Sequence, residues 1–163
     1  MTKIIKTLGG PMIGGNEMPW ARAVVVEGTR MIYMSGETGR DLSKKQEYPE
    51  LTENPNWTTE NQAALDSCSH DIEVQTQLVW ETIKQKLDEC GSSLNNVVKI
   101  TYYLTERYNW PRAWRVTRKY WAKHAPDLLK RNGPHTLIEG IKLDHPQMLI
   151  EIDCTAYAPE PGD

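Results

Sequence analysis

The first patterned stretch of the chain is Ala21–Glu27, a run rich in β-branched residues. It is followed, after the turn signal Glu27-Gly28-Thr29, by the alternating segment Arg30–Ser35. Two such runs around a short turn predict a hairpin. Farther on, Ile72, Val79, Ile83, Leu87 and Cys90 fall on one side of a helix over Asp71–Cys90, and Gly91 stands where a helix ends in the left-handed region. After the polar turn Ser92–Asn96, the segment Val97–Thr105 sets Val98, Ile100, Tyr102 and Leu104 against Val97, Lys99, Thr101 and Tyr103, a strand with both faces partly covered. A second helix is predicted from Asn109, as N-cap, to about His124, with Pro111 near its first position. Its stripe is Trp110, Trp114, Thr117 and Trp121, and Arg112, Arg115, Arg118, Lys119 and Lys123 form the other, solvated side. Two further strands, Thr136–Lys142 and Met148–Tyr157, are joined by Asp144-His145-Pro146-Gln147. In the last strand Met148, Ile150, Ile152, Cys154 and Ala156 point one way and Leu149, Glu151, Asp153, Thr155 and Tyr157 the other. Two carboxylates in mid-strand call for a reason.

The order hairpin, helix, strand, helix, strand, strand predicts an α+β domain in which two helices cover one face of a small sheet. The other face is half apolar, and such a patch is normally covered by another subunit, so self-association is expected. Between Asp41 and Ser69 the periodicity lapses into Pro, Asn, Glu and Ser, which reads as a long surface insertion within a single domain spanning 1–163. A net charge of −3 with 39% hydrophobic residues is compatible with a packed core. The longest apolar runs, Ala23–Val26 and Met148–Ile152, fall far short of the roughly 20 residues that cross a bilayer, and no signal-peptide pattern opens the chain. No membrane association is expected, and the location expected is cytoplasmic. Basic residues spread along a chain of pI near 5.8 give no footprint for nucleic acid. Cys68, Cys90 and Cys154 form no CxxC pair and read as reduced, buried small apolars, while His70, His124 and His145 show no ligand spacing, so no metal is expected. With six Trp, seven Tyr and no Phe, nearly every aromatic group carries a polar handle, which suits a partly wet pocket or interface.

Four segments, in this order, resemble the RidA/YjgF family of imine and enamine deaminases: Met34-Ser35-Gly36-Glu37-Thr38-Gly39, the helix start Asp71–Thr76, the run Leu87–Lys99, and Leu149-Ile150-Glu151-Ile152. The likeness covers roughly Trp20 to Ala158 outside the Asp41–Ser69 insertion. It implies a chorismate-mutase-like mixed β-sheet with two helices on one face, a homotrimer around the other face, three clefts between neighbouring subunits, and no metal or organic cofactor. The family's deaminases grip a substrate carboxylate with an arginine just ahead of the penultimate strand, where this chain has Gly133-Pro134-His135-Thr136. Aligning on Leu143 puts His135 at that position and a gapless count from Glu151 puts Thr136 there; the first is preferred. Either way the arginine is missing. The matching residues that remain are Trp20, Ser35, Gly36, and Glu151 near the position where the family's glutamate holds a water. Each has a plainer reading: Glu151 as a solvent-facing edge residue, His135 as a turn residue, Trp20 as packing at the first strand.

The chemistry these residues suit is general acid/base hydrolysis. Releasing ammonium requires a positioned water, a group to carry its proton and a group to protonate the departing nitrogen, and a carboxyl in a desolvated cleft is tunable for this. Glu151 is the catalytic candidate, with His135 as donor to a substrate carboxylate or to the leaving group. Trp20, Ser35, Gly36, Tyr48 and Trp57 are the substrate-binding candidates, the last two brought by the insertion. The indoles favour a flat, conjugated small-molecule acid. Two activities fit: deamination of aminomuconate-type acids, and a hydroxylaminobenzoate-lyase type that converts an arylhydroxylamine acid to a catechol acid plus ammonium. The second is favoured. A third reading, from another class, is a non-enzymatic ligand-binding or chaperone-like trimer.

Overall fold

The computed structural model describes residues 3–8, 12–13, 16–17, 23–27, 30–39, 68–143 and 146–159. Its central sheet runs β5 (Met31–Tyr33), β9 (Ile150–Tyr157), β7 (Val97–Leu104), β8 (His135–Glu139), with β6 (Glu37–Thr38) also pairing with β9. β7 is antiparallel to β9 and parallel to β8, so the sheet is mixed. Helices α1 (Ile72–Glu89) and α2 (Trp110–His124) pack on one face, with a short α3 (Pro126–Arg131) leading into β8. The fold is α+β, as the element order predicts. Two further antiparallel pairs join β1 (Lys3–Leu8) to β4 (Ala23–Glu27) and β2 (Met12–Ile13) to β3 (Asn16–Glu17). Among the described residues no helix is long and apolar enough to cross a membrane.

Several local outcomes differ from the sequence reading. The expected hairpin is not what the described ladders show, because Ala23–Glu27 pairs with β1 and Met31–Tyr33 pairs with β9. Turn chemistry identifies a bend, and it does not fix which strand a segment pairs with. Asn109 makes no side-chain cap; it closes a 3-10 turn, Arg107–Asn109, that runs into α2 and buries it. Val97, placed by alternation on the face of Lys99, is instead buried together with Val98, since a register shift between Val97 and Lys99 sets an extra residue into β7.

The helices end as their sequences dictate. Asp71 Oδ1 accepts from the Glu73 amide at 2.8 Å to cap α1. At the other end Gly91 takes φ +70°, with Ser92 N–H bonded to Leu87 O and Gly91 N–H to Asp88 O, the Schellman pattern. Cys90 therefore lies at the exposed C-cap rather than in the core, while Cys68 and Cys154 are buried. Trp80, Tyr102 and Trp121 are fully buried between the helices and the sheet, and each such side chain contributes about 1.5–3 kcal/mol of hydrophobic stabilisation. Trp80 packs edge-on to Trp121 at 5.3 Å and donates its indole N–H to Thr117 Oγ1 at 2.9 Å, which fixes α1 against α2. Nor is the basic side of α2 wholly solvated. Arg112 reaches Asp71 at 2.7 Å and Glu73 at 3.1 Å, and Arg115 reaches Glu73 at 2.5 Å, tying α2 to the first turn of α1 and holding the Glu73 carboxyl below the usual carboxylate range.

Candidate functional site

The face of the sheet away from the helices gathers the polar strand positions. Period-two alternation puts Glu151, Asp153 and Thr155 of β9 on it, beside Tyr103, Thr101 and Lys99 of β7, and beyond them Ile138 and Thr136 of β8. On the β5 side Tyr33, paired with Thr155, is 79% exposed. The alternate positions Ile150, Ile152, Cys154 and Ala156 are buried under the helices, as the sequence pattern requires.

Glu151 is partly buried, register partner of Tyr103 on one side and of Thr38 on the other. Its carboxyl lies over Gly36, where a built Cβ would come within 1.7 Å of Glu151 Oε1 and 2.6 Å of Cδ. Gly36 is not among the positive-φ residues, so the position calls for glycine because of the space the carboxylate occupies. Ser35 and Gly36 are both exposed beside it, so the structure brings Ser35, Gly36 and Glu151 together. The segment carrying them is clamped from below. Glu37, 8% exposed, is bound by Lys86 of α1 at 2.5 Å. At Gly39 a Cβ would lie 2.6 Å from the Gln75 backbone, so only a glycine permits that approach. Gln75, fully buried, donates to Ser69 O at 2.5 Å and Gln147 O at 2.6 Å and accepts from Leu149 N–H at 2.9 Å, which fixes the entry into β9 two residues ahead of Glu151.

The other mid-strand carboxylate has a different reason. Asp153 Oδ2 accepts from Tyr103 O–H at 2.9 Å, and this bond raises the phenol above its ordinary range. Next to it Lys99 Nζ donates to Thr136 Oγ1 at 2.5 Å. Burial pushes the Lys99 ammonium below the usual lysine range and the nearby Asp153 charge partly restores it. Sequence reading placed Lys99 and Tyr103 only as alternating strand positions; the signal within reach was a lone lysine in an otherwise neutral or acidic strand face.

His135 is placed elsewhere. It is the register partner of Ile100, on the helix side, and its ring lies 5.2 Å from Trp114, 5.8 Å from Tyr102 and 6.2 Å from Trp110. Its Nδ1 lies 3.2 Å from Gly133 O, and burial lowers its affinity for a proton, only partly offset by that bond. His135 and Glu151 therefore lie on opposite faces of the sheet, and it is Thr136 that shares the face of Glu151. A shift of one residue in a strand reverses its side, which is why two alignments one residue apart give opposite answers. Trp20, Tyr48, Trp57, His145 and most of the Asp41–Ser69 insertion lie outside the described residues. Among those described, no cluster of His, Cys, Asp and Glu is arranged to hold a metal ion. A groove of about 420 Å³ between α1 and α2 is lined by Glu81, Lys119, Lys123 and Tyr120 among others, on the helix layer away from Glu151.

Comparison with known proteins gives one consistent answer. Residues 15–158 match the family described as Endoribonuclease L-PSP. A RutC family protein of Pyrococcus abyssi is 34% identical over 87 residues, 53% of this chain and 62% of the relative, and one of Pyrococcus horikoshii is 33% identical over 87 residues, 53% and 63%. The chain thus spans less than two thirds of the length of these curated relatives. Among solved structures, a Rid-family protein of Yersinia pestis superposes with a TM-score of 0.59 at 17% identity, covering 85% of this chain and 86% of that one. A YjgF/YER057c/UK114-family member of Mycobacterium tuberculosis gives 0.55 at 21%, covering 85% and 86%, and a YjgF-family protein of Neisseria meningitidis 0.56 at 19%, covering 97% and 99%.

Proposed function

Because the chain belongs to the Endoribonuclease L-PSP family, as a divergent member of RidA/YjgF type, we propose that it releases ammonium from a small conjugated or aromatic nitrogen-bearing acid by general acid/base hydrolysis. The observation that carries this reading is the partly buried Glu151 carboxyl lying over side-chain-free Gly36 on the helix-free face. Water adds to the electrophilic carbon and yields a proton to the Glu151 carboxylate as the C–O bond forms. The carboxylic acid then returns that proton to nitrogen as the C–N bond breaks. For an arylhydroxylamine acid the balance closes with one water: the N–O bond breaks as that hydroxyl is transferred to the adjacent ring carbon, whose hydrogen passes to nitrogen as a proton, water then replaces nitrogen at its own carbon, and a dihydroxy acid and ammonia leave. This lyase reaction is the favoured activity, with 2-aminomuconate-type deamination second, supported by the Leu143–Glu151 segment. The carboxylates of Glu151 and Asp153 weigh against an RNA ligand on this face, since they would repel its phosphates.

The active form is a homotrimer closed around the helix-free face. The exposure of Tyr33 and Ile138 there supports this, because a neighbour would cover both. A monomeric mass by light scattering at micromolar concentration would rule it out. An ammonium-release screen against imino acids, aminomuconates and arylhydroxylamine acids, with Glu151→Gln as control, tests the activity. Release from the arylhydroxylamine acid that drops by about two to four powers of ten in the control supports the reading. No release from any class leaves the non-enzymatic binding trimer.

A further inference from the structure

Lys99 is the one cation among the described strand positions on the face of Glu151, and its near neighbours there include Thr101, Tyr103, Thr136 and Asp153. Its hydrogen-bond partner there is the neutral Thr136 hydroxyl. The neighbouring Asp153 carboxylate is taken up by the Tyr103 phenol. Among the described residues no carboxylate is hydrogen-bonded to the ammonium, although the Asp153 charge lies near it, and the Thr136 hydroxyl beside it is able to donate in turn.

The register also gives a length. Thr136 is level with Thr101, two residues along β7 from Tyr103, the partner of Glu151, and two strands across from β9. At about 3.3 Å per residue and about 4.8 Å between strands, the two backbone positions are about 12 Å apart. Part of that gap is filled by the side chains at its ends, and its floor is Thr101 and Tyr103. What remains suits a planar acid whose carboxylate is a ring's length from the reacting nitrogen, not an imino acid with the two groups on one carbon.

We infer that Lys99 and Thr136 form the anion subsite of this protein, taking the carboxylate of a flat acid while Glu151 serves its nitrogen end. The inference rests on the proposed reaction for the role of Glu151, but its anion half is independent of turnover. The test therefore uses unreactive probes on the full-length, assembled protein: 4-aminobenzoate, its neutral analogue 4-aminobenzamide, and 2-aminobenzoate, titrated calorimetrically. Wild type is expected to bind 4-aminobenzoate at least tenfold more tightly than the amide and at least threefold more tightly than the 2-isomer. Lys99→Met should erase the preference for acid over amide, Lys99→Arg should retain most of it, and Glu151→Gln should leave it in place. Unfolding melts establish that each variant is folded, and Thr136→Val stands in if Lys99→Met is not; an acid preference unchanged from wild type in folded Thr136→Val then overturns the inference. So does an acid preference that survives in folded Lys99→Met, or failure of wild type to bind the acid. Equal binding of the two isomers overturns the spacing. An acid preference that depends on Lys99 in a protein releasing no ammonium would keep the subsite and refute the reaction; the reverse result would refute the subsite alone.

Discussion

Replacing Gly36 with alanine separates the position of the Glu151 carboxyl from its chemistry. The added methyl would sit 1.7 Å from Glu151 Oε1, 2.6 Å from Cδ and 2.9 Å from Cγ, where ordinary contact begins near 3.4 Å. The carboxyl must therefore swing by about 1.5 Å or more, and a displacement of about 1 Å at a reacting group costs on the order of a hundredfold in rate. The fold has little reason to suffer. Gly36 is not held in the left-handed region, and glycine-to-alanine at a compatible site stabilises by about 0.4–1 kcal/mol through the unfolded chain, which offsets the cost of one altered rotamer. The expected outcome is kcat lowered by about two powers of ten with the melting temperature within about 3 °C of wild type. In a Glu151→Gln background, Gly36→Ala should add less than about threefold, because the two changes act through one group. Ammonium release by the four proteins of this cycle, with melts alongside, is the assay. Full activity in Gly36→Ala with an inactive Glu151→Gln would show that the carboxyl acts equally well from elsewhere and would refute the geometric argument; additive losses would refute the coupling.

Three other outcomes follow from the packing. Trp80→Phe deletes the buried bond to Thr117 and should cost about 1–3 kcal/mol in urea unfolding. His135 is held below its ordinary pKa chiefly by burial, so the native state favours the neutral ring. Stability from it is complete above about pH 6.5 and is lost as pH falls through the lower native value. Melts between pH 7.5 and 5.5 should therefore fall more steeply for wild type than for His135→Gln; parallel curves would contradict this. Cys90 is exposed, whereas Cys68 and Cys154 are buried and burial pushes the Cys154 thiol up to about 12. Native protein should accordingly take up one equivalent of iodoacetamide, and urea-unfolded protein three.

Elements were legible where one physical cause acts alone. The spacing of Ile72, Val79, Ile83 and Leu87 and the Gly91 stop define α1 to within a residue of its ends, and the alternation from Met148 to Ala156 matches the buried face of β9. Legibility failed where a count of one residue or a choice of partner decides. The extra residue at Val97–Val98 is invisible to a period-two pattern, and pairing of β4 with β1 is a long-range competition that a turn signal does not report. The same arithmetic separates His135 from Thr136: their sides follow from parallel pairing with β7, and no local property of Gly133-Pro134-His135-Thr136 carries that information. The short α3 that Pro126 opens was not legible, because six residues are too few for a helical period to register. At the site, the nearness of Gly36 to Glu151 was suggested by the family-like segments and not by any local pattern. The Lys99–Thr136 contact was suggested by neither, because it joins two strands 37 positions apart.

One amide side chain holds the chain on both sides of residues 40–67. Gln75 is packed against Gly39 and bonded to Ser69 O, so the two ends of that span meet at a single buried residue. For ends pinned in this way, the entropy of closing the chain between them changes by only about 0.6 kcal/mol per doubling of its length. The clasp thus makes the approach of β6 to α1 a property of one side chain, whatever number of residues joins them.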